Sequence, residues 1–190
     1  MLEDLGYARR PDGVLADAGG QRLSVEMRTT VNDIQEKAMY AVADYWQRAG
    51  VAVEPVIIAR ALAQDREYRA NYPAFEEVRN PNNFDSLSRV HGSQAPRPEN
   101  NYAGNNRTRY MDADLDRLID RFHVTIPMAE RVQIVGQILN HMTDRLVVMG
   151  LFYDAEPIVM SKRLRNVSGV PVSSKHTWNA HEWDVGGPHL

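Results

Sequence analysis

Cysteine is absent from the 190 residues of the chain. Its absence excludes disulfide bonds, a thiolate nucleophile and every metal site that is built on cysteine. It does not distinguish an oxidising compartment from a reducing one, because a chain without cysteine is compatible with both.

Long apolar runs and runs of like charge are also missing. The longest dense apolar stretch, residues 146–153, has the length of a strand and falls well short of the roughly 18 apolar residues of a membrane-spanning helix. The net charge is −3, from 22 Lys and Arg against 25 Asp and Glu, and neither sign is clustered, which disfavours nucleic acid as a partner. Residues 1–7 contain two acids and no base, so we expect any export signal to lie outside this chain.

The composition is that of a folded domain, with 43% hydrophobic and 25% charged residues. A chain of this length buries roughly 70% of the surface that its unfolded form exposes, which predicts one domain, or one and a fraction. The glycines form neither a G-x-G-x-x-G nor a G-K-[ST] pattern, and no G-x-S-x-G elbow occurs. The sequence therefore contains no motif typical of nucleotide binding or of a serine hydrolase.

Hydrophobic periodicity predicts a strand, a helix and a second strand in succession. Residues 22–29 alternate as a half-buried strand does. Thr30, with Asp33 three residues later, is the expected N-cap of a helix whose apolar residues recur at helical spacing until Gly50. Residues 51–59 are rich in Val and Ile, so the order predicts a parallel crossover in an α/β layer. We further expect a short polar helix over residues 60–70 and a strand over 74–79.

Periodicity disappears between residues 80 and 110, a stretch rich in asparagine and proline that also contains Phe84, Tyr102 and Tyr110. Such a long aperiodic segment is usually functional or disordered, and its aromatic residues argue against disorder. Two amphipathic helices are predicted after it, the second beginning near Pro127. Strands over residues 147–153 and 157–164 and an aromatic segment over 178–185 complete the expected order.

Several short motifs occur in the order found in the C-terminal part of family 5 extracellular solute-binding proteins, the peptide, opine and nickel receptors of ABC importers. They are a leucine-rich helix tail ending in glycine and an aromatic residue, a W-x-x-x-G before a Val/Ile strand, an N-Y pair, and a segment similar to F-D-x-L-[IL]. The residues concerned are Leu2, Leu5, Gly6 and Tyr7; Trp46 and Gly50; Asn101 and Tyr102; and Leu115, Asp116, Leu118 and Ile119. The resemblance runs through the whole chain and covers roughly the last third of such a receptor.

This resemblance implies an α/β fold: part of a type II periplasmic-binding-protein lobe, with a mixed sheet, flanking helices and no N-terminal lobe. Residues 1–146 would form the ligand-binding portion of the second lobe, and residues 147–190 would return toward the missing first lobe. The implied function is non-catalytic enclosure of a peptide-like or other small polar solute between two lobes, for delivery to the permease subunits of an ABC importer. The expected location of the full-length parent is periplasmic or extracytoplasmic.

The resemblance also places the ligand loop within residues 80–110, where one position departs from the family pattern. Many peptide receptors have D-P-x-x-F, whose carboxylate neutralises the α-ammonium of the ligand, whereas here Asn80 precedes the proline. An amide supplies no opposing charge, which weakens the expectation that a free peptide N-terminus binds, although Asp85 is close enough in sequence to compensate. The predicted ligand-binding residues are Asn80, Asn83, Phe84, Asn101, Tyr102 and Arg107.

Other interpretations stay open beside this one. Arg107 and Arg109 also fit a solvated surface pair, which is the commoner role of exposed arginine. A small α/β hydrolase that uses His91 or His141 with a nearby acid is one alternative function. A truncated gene product with no function of its own is another.

The remaining clusters have simpler explanations. His176, His181 and Glu182 match no familiar zinc spacing, and we expect neither a metal nor a cofactor. Asp114, Asp116 and Asp120 are expected to lie on the solvated face of a helix. Four apolar residues that would face the absent lobe are expected to be exposed and to favour self-association: Leu151, Phe152, Ile158 and Val159.

Overall fold

A computed structural model of the chain describes residues 2–71, 75–81, 83–154, 158–169 and 177–186. The chain divides into two compact units. The first comprises residues 1–80 and 94–109, and the second comprises residues 81–93 and 110–190. Each unit therefore contains one segment from the aperiodic stretch that the sequence singles out.

A three-stranded parallel sheet forms the centre of the first unit. Strand β3 (Ser24–Thr30) lies in the middle and pairs along its whole length with β4 (Ala52–Ile58) and briefly with β5 (Phe75–Glu76). Pro55, which cannot donate to a ladder, is tolerated because among the described strands β4 pairs only with β3. The predicted parallel crossover is confirmed, and the predicted strand over 74–79 is reduced to β5, with residue 74 outside the described residues.

Helix α1 (Asp33–Ala49) connects β3 to β4 and packs on one face of the sheet. Its N-cap is Asn32, whose side chain accepts the backbone N–H groups of Ile34 and Gln35, so the prediction of Thr30 as the cap is wrong. Thr30 is instead the last residue of β3. The helix ends at Gly50 in the left-handed region, as predicted. The core under the helix consists of Met27, Met39, Ala43 and Val53.

Two short elements precede the sheet. A single 3₁₀ turn, Glu3–Leu5, ends at Gly6 with a left-handed backbone, as the predicted helix tail requires. Strands β1 (Ala8–Arg9) and β2 (Leu15–Ala16) then form an antiparallel hairpin. The backbone N–H of Leu15 donates to the carbonyl of Gly50, which joins the hairpin to the end of α1.

The predicted polar helix over residues 60–70 consists of two shorter pieces. A 3₁₀ turn, Arg60–Leu62, is followed by helix α2 (Arg66–Ala70), which Asp65 caps by accepting the N–H of Tyr68. The Tyr68 ring lies 5.1 Å from the guanidinium of Arg28 on β3, a buried residue that also pairs with Glu26. A cation over an aromatic face is attracted to it, so this contact ties α2 to the sheet.

Helices dominate the second unit. A 3₁₀ helix (Phe84–Val90) precedes the two predicted amphipathic helices, α3 (Ala113–Val124) and α4 (Met128–Asp144), which pack against each other. Pro127 is the N-cap of α4, as expected for a proline at a helix start. The buried core is formed by seven apolar residues, namely Val90, Leu115, Ile119, Phe122, Ile134, Ile138 and Val147.

The predicted strands over residues 147–153 and 157–164 are wrong for the residues that the structure describes. Residues 147–154 form no strand, and the strand β6 (Leu164–Arg165) pairs antiparallel with β7 (Asp184–Val185). An apolar, β-branched run becomes a strand only where a second strand supplies hydrogen-bond partners. Apolar side chains are instead exposed here, as expected: Leu151, Phe152, Ile158 and Val159. Across the described ranges, no helix is long and apolar enough to cross a membrane.

Candidate functional site

A cavity of about 210 Å³ in the first unit lies between residues 63–70, which include α2, and residues 94–109. We call residues 94–109 the site loop and this cavity the site cavity. Its lining comes from both segments: Ala63, Gln64, Asp65, Arg66, Arg69 and Ala70 on one side, and Pro96, Tyr102, Ala103, Gly104, Asn105 and Arg107 on the other. Among the described residues, the lining contains no Ser, His or Cys, and it offers hydrogen-bond donors and acceptors from arginine, asparagine, glutamine, aspartate and tyrosine side chains.

Arg69, which lines the site cavity, belongs to a buried ion pair. The Arg69 guanidinium pairs with the carboxylate of Glu76 on β5, and their side chains are only 10% and 2% exposed. Arg69 also donates from Nη1 to the carbonyl of Ala63, at 3.0 Å. A buried charge is tolerated only when it is paired and hydrogen-bonded, so this pair holds α2 at a set distance from β5.

The site loop has a strained backbone. Asn101, Tyr102 and Arg109 all have positive φ, between 51° and 54°, a region that residues other than glycine seldom adopt. At Gly104, where φ is +117°, a Cβ atom would lie 2.1 Å from the carbonyl oxygen of Gln94. Only glycine fits there. Backbone strain of this kind persists where surrounding contacts enforce it, and it is common at binding sites.

Hydrogen bonds connect the site loop to α2. The Tyr102 hydroxyl donates to Glu67 Oε1 at 3.2 Å. Arg109 donates from Nη2 to the carbonyl of Ala70 at 2.7 Å and to Asn71 Oδ1 at 2.6 Å. The Arg109 side chain therefore has a structural role: it joins the end of the site loop to the end of α2 and is not merely solvated.

Arg107 lies on the cavity wall beside the buried pair. Its Nη1 atom is 3.9 Å from Glu76 Oε2, and its side chain is 38% exposed. A guanidinium in this position presents a fork of donors that suits a carboxylate or an amide carbonyl. Together with the Tyr102 ring it gives the cavity one cationic and one aromatic wall.

Of the six predicted ligand-binding residues, the structure brings two together. Tyr102 and Arg107 line the site cavity, and Asn101 adjoins Tyr102 as an exposed C-cap of the 3₁₀ turn Pro98–Asn100. Asn80 is exposed at the end of the first segment of this unit. Contact of these residues with a solute stays a prediction.

The other two predicted residues belong to the second unit. Asn83 caps the 3₁₀ helix Phe84–Val90, accepting the N–H of Ser86 at 3.0 Å. The Phe84 ring is half-exposed and packs at 5.1 Å from Phe122, with the Arg131 guanidinium over both rings. These contacts give Asn83 and Phe84 a structural role in that unit.

Sequence reasoning missed Arg69, Glu76 and Gly104. Seven positions separate Arg69 from Glu76, and each looks like an ordinary charged residue of a polar segment. A glycine among asparagines equally indicates a turn. No local signal identifies these three, because their roles depend on which neighbouring segments of the chain fold against each other.

His91 lies in the second unit within a network of polar groups. Its Nδ1 atom is 2.8 Å from Ser93 Oγ, and its Nε2 atom is 3.4 Å from Asp120 Oδ1. Asp116 accepts the N–H of Gly92 and is only 26% exposed, so the expectation of a solvated face is wrong for Asp116.

His141, near the end of α4, is hydrogen-bonded to the Tyr110 hydroxyl at 2.8 Å. Asp112, the N-cap of α3, lies 3.2 Å from the same hydroxyl. Burial and the neighbouring Asp112 carboxylate raise the pKa of Tyr110. The backbone N–H of Leu115 is the main cause that lowers the pKa of Asp112. This cluster links the start of α3 to the end of α4.

Of the two histidines near the C-terminus that the sequence singled out, the structure describes only His181. His176 lies outside the described residues, and His181 is exposed, 3.6 Å from the Glu182 carboxylate. Within the described ranges, no group of three or more His, Asp or Glu side chains is arranged to hold a metal ion.

Comparison with known proteins identifies the fold. No protein-family model and no curated protein sequence matches the chain. Its structure is similar to NikZ from Campylobacter jejuni in complex with Ni(L-His), with a TM-score of 0.67 and 17% identity over 96% of this chain. It is also similar to the oligopeptide-binding protein of Thermus thermophilus complexed with a pentapeptide (TM-score 0.70, 23% identity, 89% of this chain). A third similar structure is AppA, the oligopeptide-binding protein of Bacillus subtilis (TM-score 0.65, 17% identity, 98% of this chain).

The chain spans about a third of these proteins, covering 37%, 31% and 36% of their lengths. At these identities the similarity establishes the fold and nothing finer. It confirms the α/β class and the partial binding-protein architecture that the sequence motifs imply. The chain thus has the fold of roughly one third of each of these three proteins.

Proposed function

We propose that this chain is part of the solute-binding component of an ABC importer and holds a peptide-like or other small polar solute without catalysing a reaction. The observation that carries the proposal is the fold, because almost the whole chain superimposes on binding proteins for peptides and for a nickel–histidine complex. In such a protein, ligand contacts that exist only in the closed form supply the free energy of closure. This chain contributes one side of that enclosure.

The site cavity supports the proposal chemically. Arg107 and Tyr102 line the cavity and present donors and an aromatic face to a polar guest. Asn80, Asn83, Phe84 and Asn101 complete the proposed set of ligand-binding residues.

The proposal includes the rest of the receptor. The full-length parent would be periplasmic or extracytoplasmic, with the permease subunits of the transporter as partners. Residues 1–146 would belong to the second lobe, and residues 147–190 would return toward the first. The exposed apolar residues between 146 and 160 would pack there in the parent. In the isolated chain they would favour self-association.

Titration followed by ¹H–¹⁵N NMR tests the binding function. The probes are pentaalanine and, separately, the nickel–histidine complex, each at millimolar concentration because one side of an enclosure binds weakly. We expect amide shifts, or paramagnetic broadening for nickel, concentrated in the site loop and α2. Arg107→Gln should abolish them, whereas the control Arg60→Gln, outside the cavity lining, should not.

Two results would contradict the proposal. One is the absence of site-loop perturbation by either probe. The other is a turnover of amide or ester substrates with a bell-shaped pH profile, which would favour the hydrolase alternative. Sedimentation velocity of the isolated 190-residue chain tests the self-association separately. Phe152→Ser and Val159→Ser should reduce it, and a strictly monomeric unsubstituted chain would refute it.

A further inference from the structure

The turn at residues 91–93 in the second unit is held closely against α3. The backbone N–H of Gly92 donates to Asp116 Oδ1 at 2.7 Å. A Cβ atom on Gly92 would lie 2.6 Å from Asp116 Oδ2, so a larger residue there would displace the Asp116 side chain. Because the Gly92 contact uses one carboxylate oxygen, Asp116 still has accepting capacity toward a second donor.

The hydrogen bonds of His91 define which of its nitrogens carries the proton. Nδ1 lies 3.1 Å from the backbone nitrogen of Ser93 and 2.8 Å from its hydroxyl. A backbone N–H can only donate, so Nδ1 must accept and carries no proton. The proton of the neutral ring is then on Nε2, which faces Asp120 Oδ1 at 3.4 Å.

A second proton on this ring would conflict with the Ser93 contact. It would bind at Nδ1, where it and the Ser93 N–H would be two donors directed at each other. The charged groups that face the ring from α3 are Asp116, 3.8 Å from Nδ1, and Asp120. A protonated Nδ1 would therefore exchange Ser93 for the Asp116 carboxylate, since a charge-assisted bond is about twice as strong as a neutral one.

We propose that His91 is an acid-operated switch of the 91–93 turn. The neutral imidazole holds Ser93, and the imidazolium pairs with Asp116 and Asp120 and releases Ser93.

Position in the chain gives the switch its consequence. Ser93 is bonded directly to Gln94, the first residue of the site loop, and the Gln94 carbonyl accepts the N–H of Asn106. Release of Ser93 removes a hydrogen bond from the residue immediately before Gln94. The switch does not depend on whether a solute binds, and its test contains no solute.

NMR of the full chain between pH 8 and pH 5 provides the test. At pH 8 the ¹⁵N shifts should show an unprotonated Nδ1 and a protonated Nε2 on His91. On acidification, hydrogen-exchange protection of the Ser93 amide should fall by about tenfold after correction for the intrinsic rate, since one hydrogen bond is lost. Protection of the Gly92 amide should persist, because Asp116 still accepts it.

Variants separate the switch from a general loosening at acid pH. His91→Gln offers Ser93 an acceptor that does not titrate, and it should make Ser93 protection independent of pH. The control His123→Gln removes an exposed histidine of α3 and should leave the pH dependence intact. Asp116→Asn keeps an acceptor for Gly92 but removes the charge, and it should move the release to lower pH.

Four results would overturn the proposal. They are a proton on Nδ1 at pH 8, a Ser93 amide that is unprotected at pH 8, equal Ser93 protection at pH 5 and pH 8, and a pH dependence that survives in His91→Gln.

Discussion

The buried pair that Arg69 of the site cavity forms with Glu76 is the contact whose removal has the most predictable effect. Glu76→Gln keeps the shape and a hydrogen-bond acceptor but removes the negative charge. The Arg69 side chain is about nine-tenths buried, so its charge would then be left uncompensated. Arg107, 3.9 Å from Glu76 Oε2, would lose its opposing charge at the same time.

The expected size follows from measured buried pairs. Breaking one by removing a single partner costs about 3–5 kcal/mol. The lower end, about 3 kcal/mol, applies here because glutamine still accepts a hydrogen bond and because Arg69 keeps its bond to the Ala63 carbonyl. With a urea m-value of about 2 kcal/mol/M for a unit of this size, the midpoint of unfolding should fall by about 1.5 M.

Urea unfolding followed by the fluorescence of Trp46 measures the midpoint of the Glu76→Gln variant. Trp46 packs edge-on against Phe75, the residue before Glu76, with ring centroids 5.0 Å apart. The reference chain carries Trp178→Phe and Trp183→Phe, so that the signal reports the first unit alone. A matched control, Lys37→Gln, breaks the exposed Lys37–Asp33 pair and should cost no more than about 0.5 kcal/mol.

The double variant Arg69→Met/Glu76→Leu decides the mechanism. Replacing both charges by apolar side chains leaves no charge unpaired, so it should cost less than either single change. Two results would refute the reasoning. One is a Glu76→Gln chain within about 0.5 kcal/mol of its reference, and the other is additivity of the two single effects.

Three further predictions concern other parts of the chain. Gly50→Ala should lower the free energy of unfolding of the first unit, measured with urea, by more than about 1 kcal/mol, because φ is +102° at this position. An unchanged urea midpoint would contradict this. Ile138→Ala should destabilise the second unit by about 2–5 kcal/mol in circular-dichroism melts, and the exposed Leu139→Ala by no more than about 0.5 kcal/mol. Because the pKa of Asp112 is lowered from its ordinary value of 3.8, its carboxylate stabilises the fold at pH values above 3.8. This stabilisation is lost as the pH falls through the lowered pKa. Asp112→Asn retains a cap and should remove this loss in unfolding curves between pH 2 and pH 6.

Local patterns predicted the elements that depend mainly on their own residues. The alternation of β3, the helical spacing of α1 and the Val/Ile run of β4 are each readable within one segment, and their order was enough to predict the parallel crossover. The caps were harder. Thr30 and Asn32 are both competent N-caps, and the choice of Asn32 follows from the pairing of Thr30 with Ile58 in the sheet.

Residues 147–153 show where the same reasoning failed. Their apolar, β-branched composition is that of a strand, but strand formation needs a partner that no local pattern can supply. For the site, asparagine, tyrosine and arginine in an aperiodic segment were enough to indicate Tyr102 and Arg107. They did not reveal that Asn83 and Phe84 would be used to build the second unit.

The sequence by itself determined the α/β class, the order of the central elements and the absence of cysteine chemistry, because each rests on composition or on a period within a single segment. Only the tertiary structure decided the pairing of Arg69 with Glu76, the close approach of Gly104 to Gln94 and the contact of His91 with Asp116 and Asp120. The physical reason is that burial and electrostatic pairing depend on which segments meet, and chain distance carries almost no information about that.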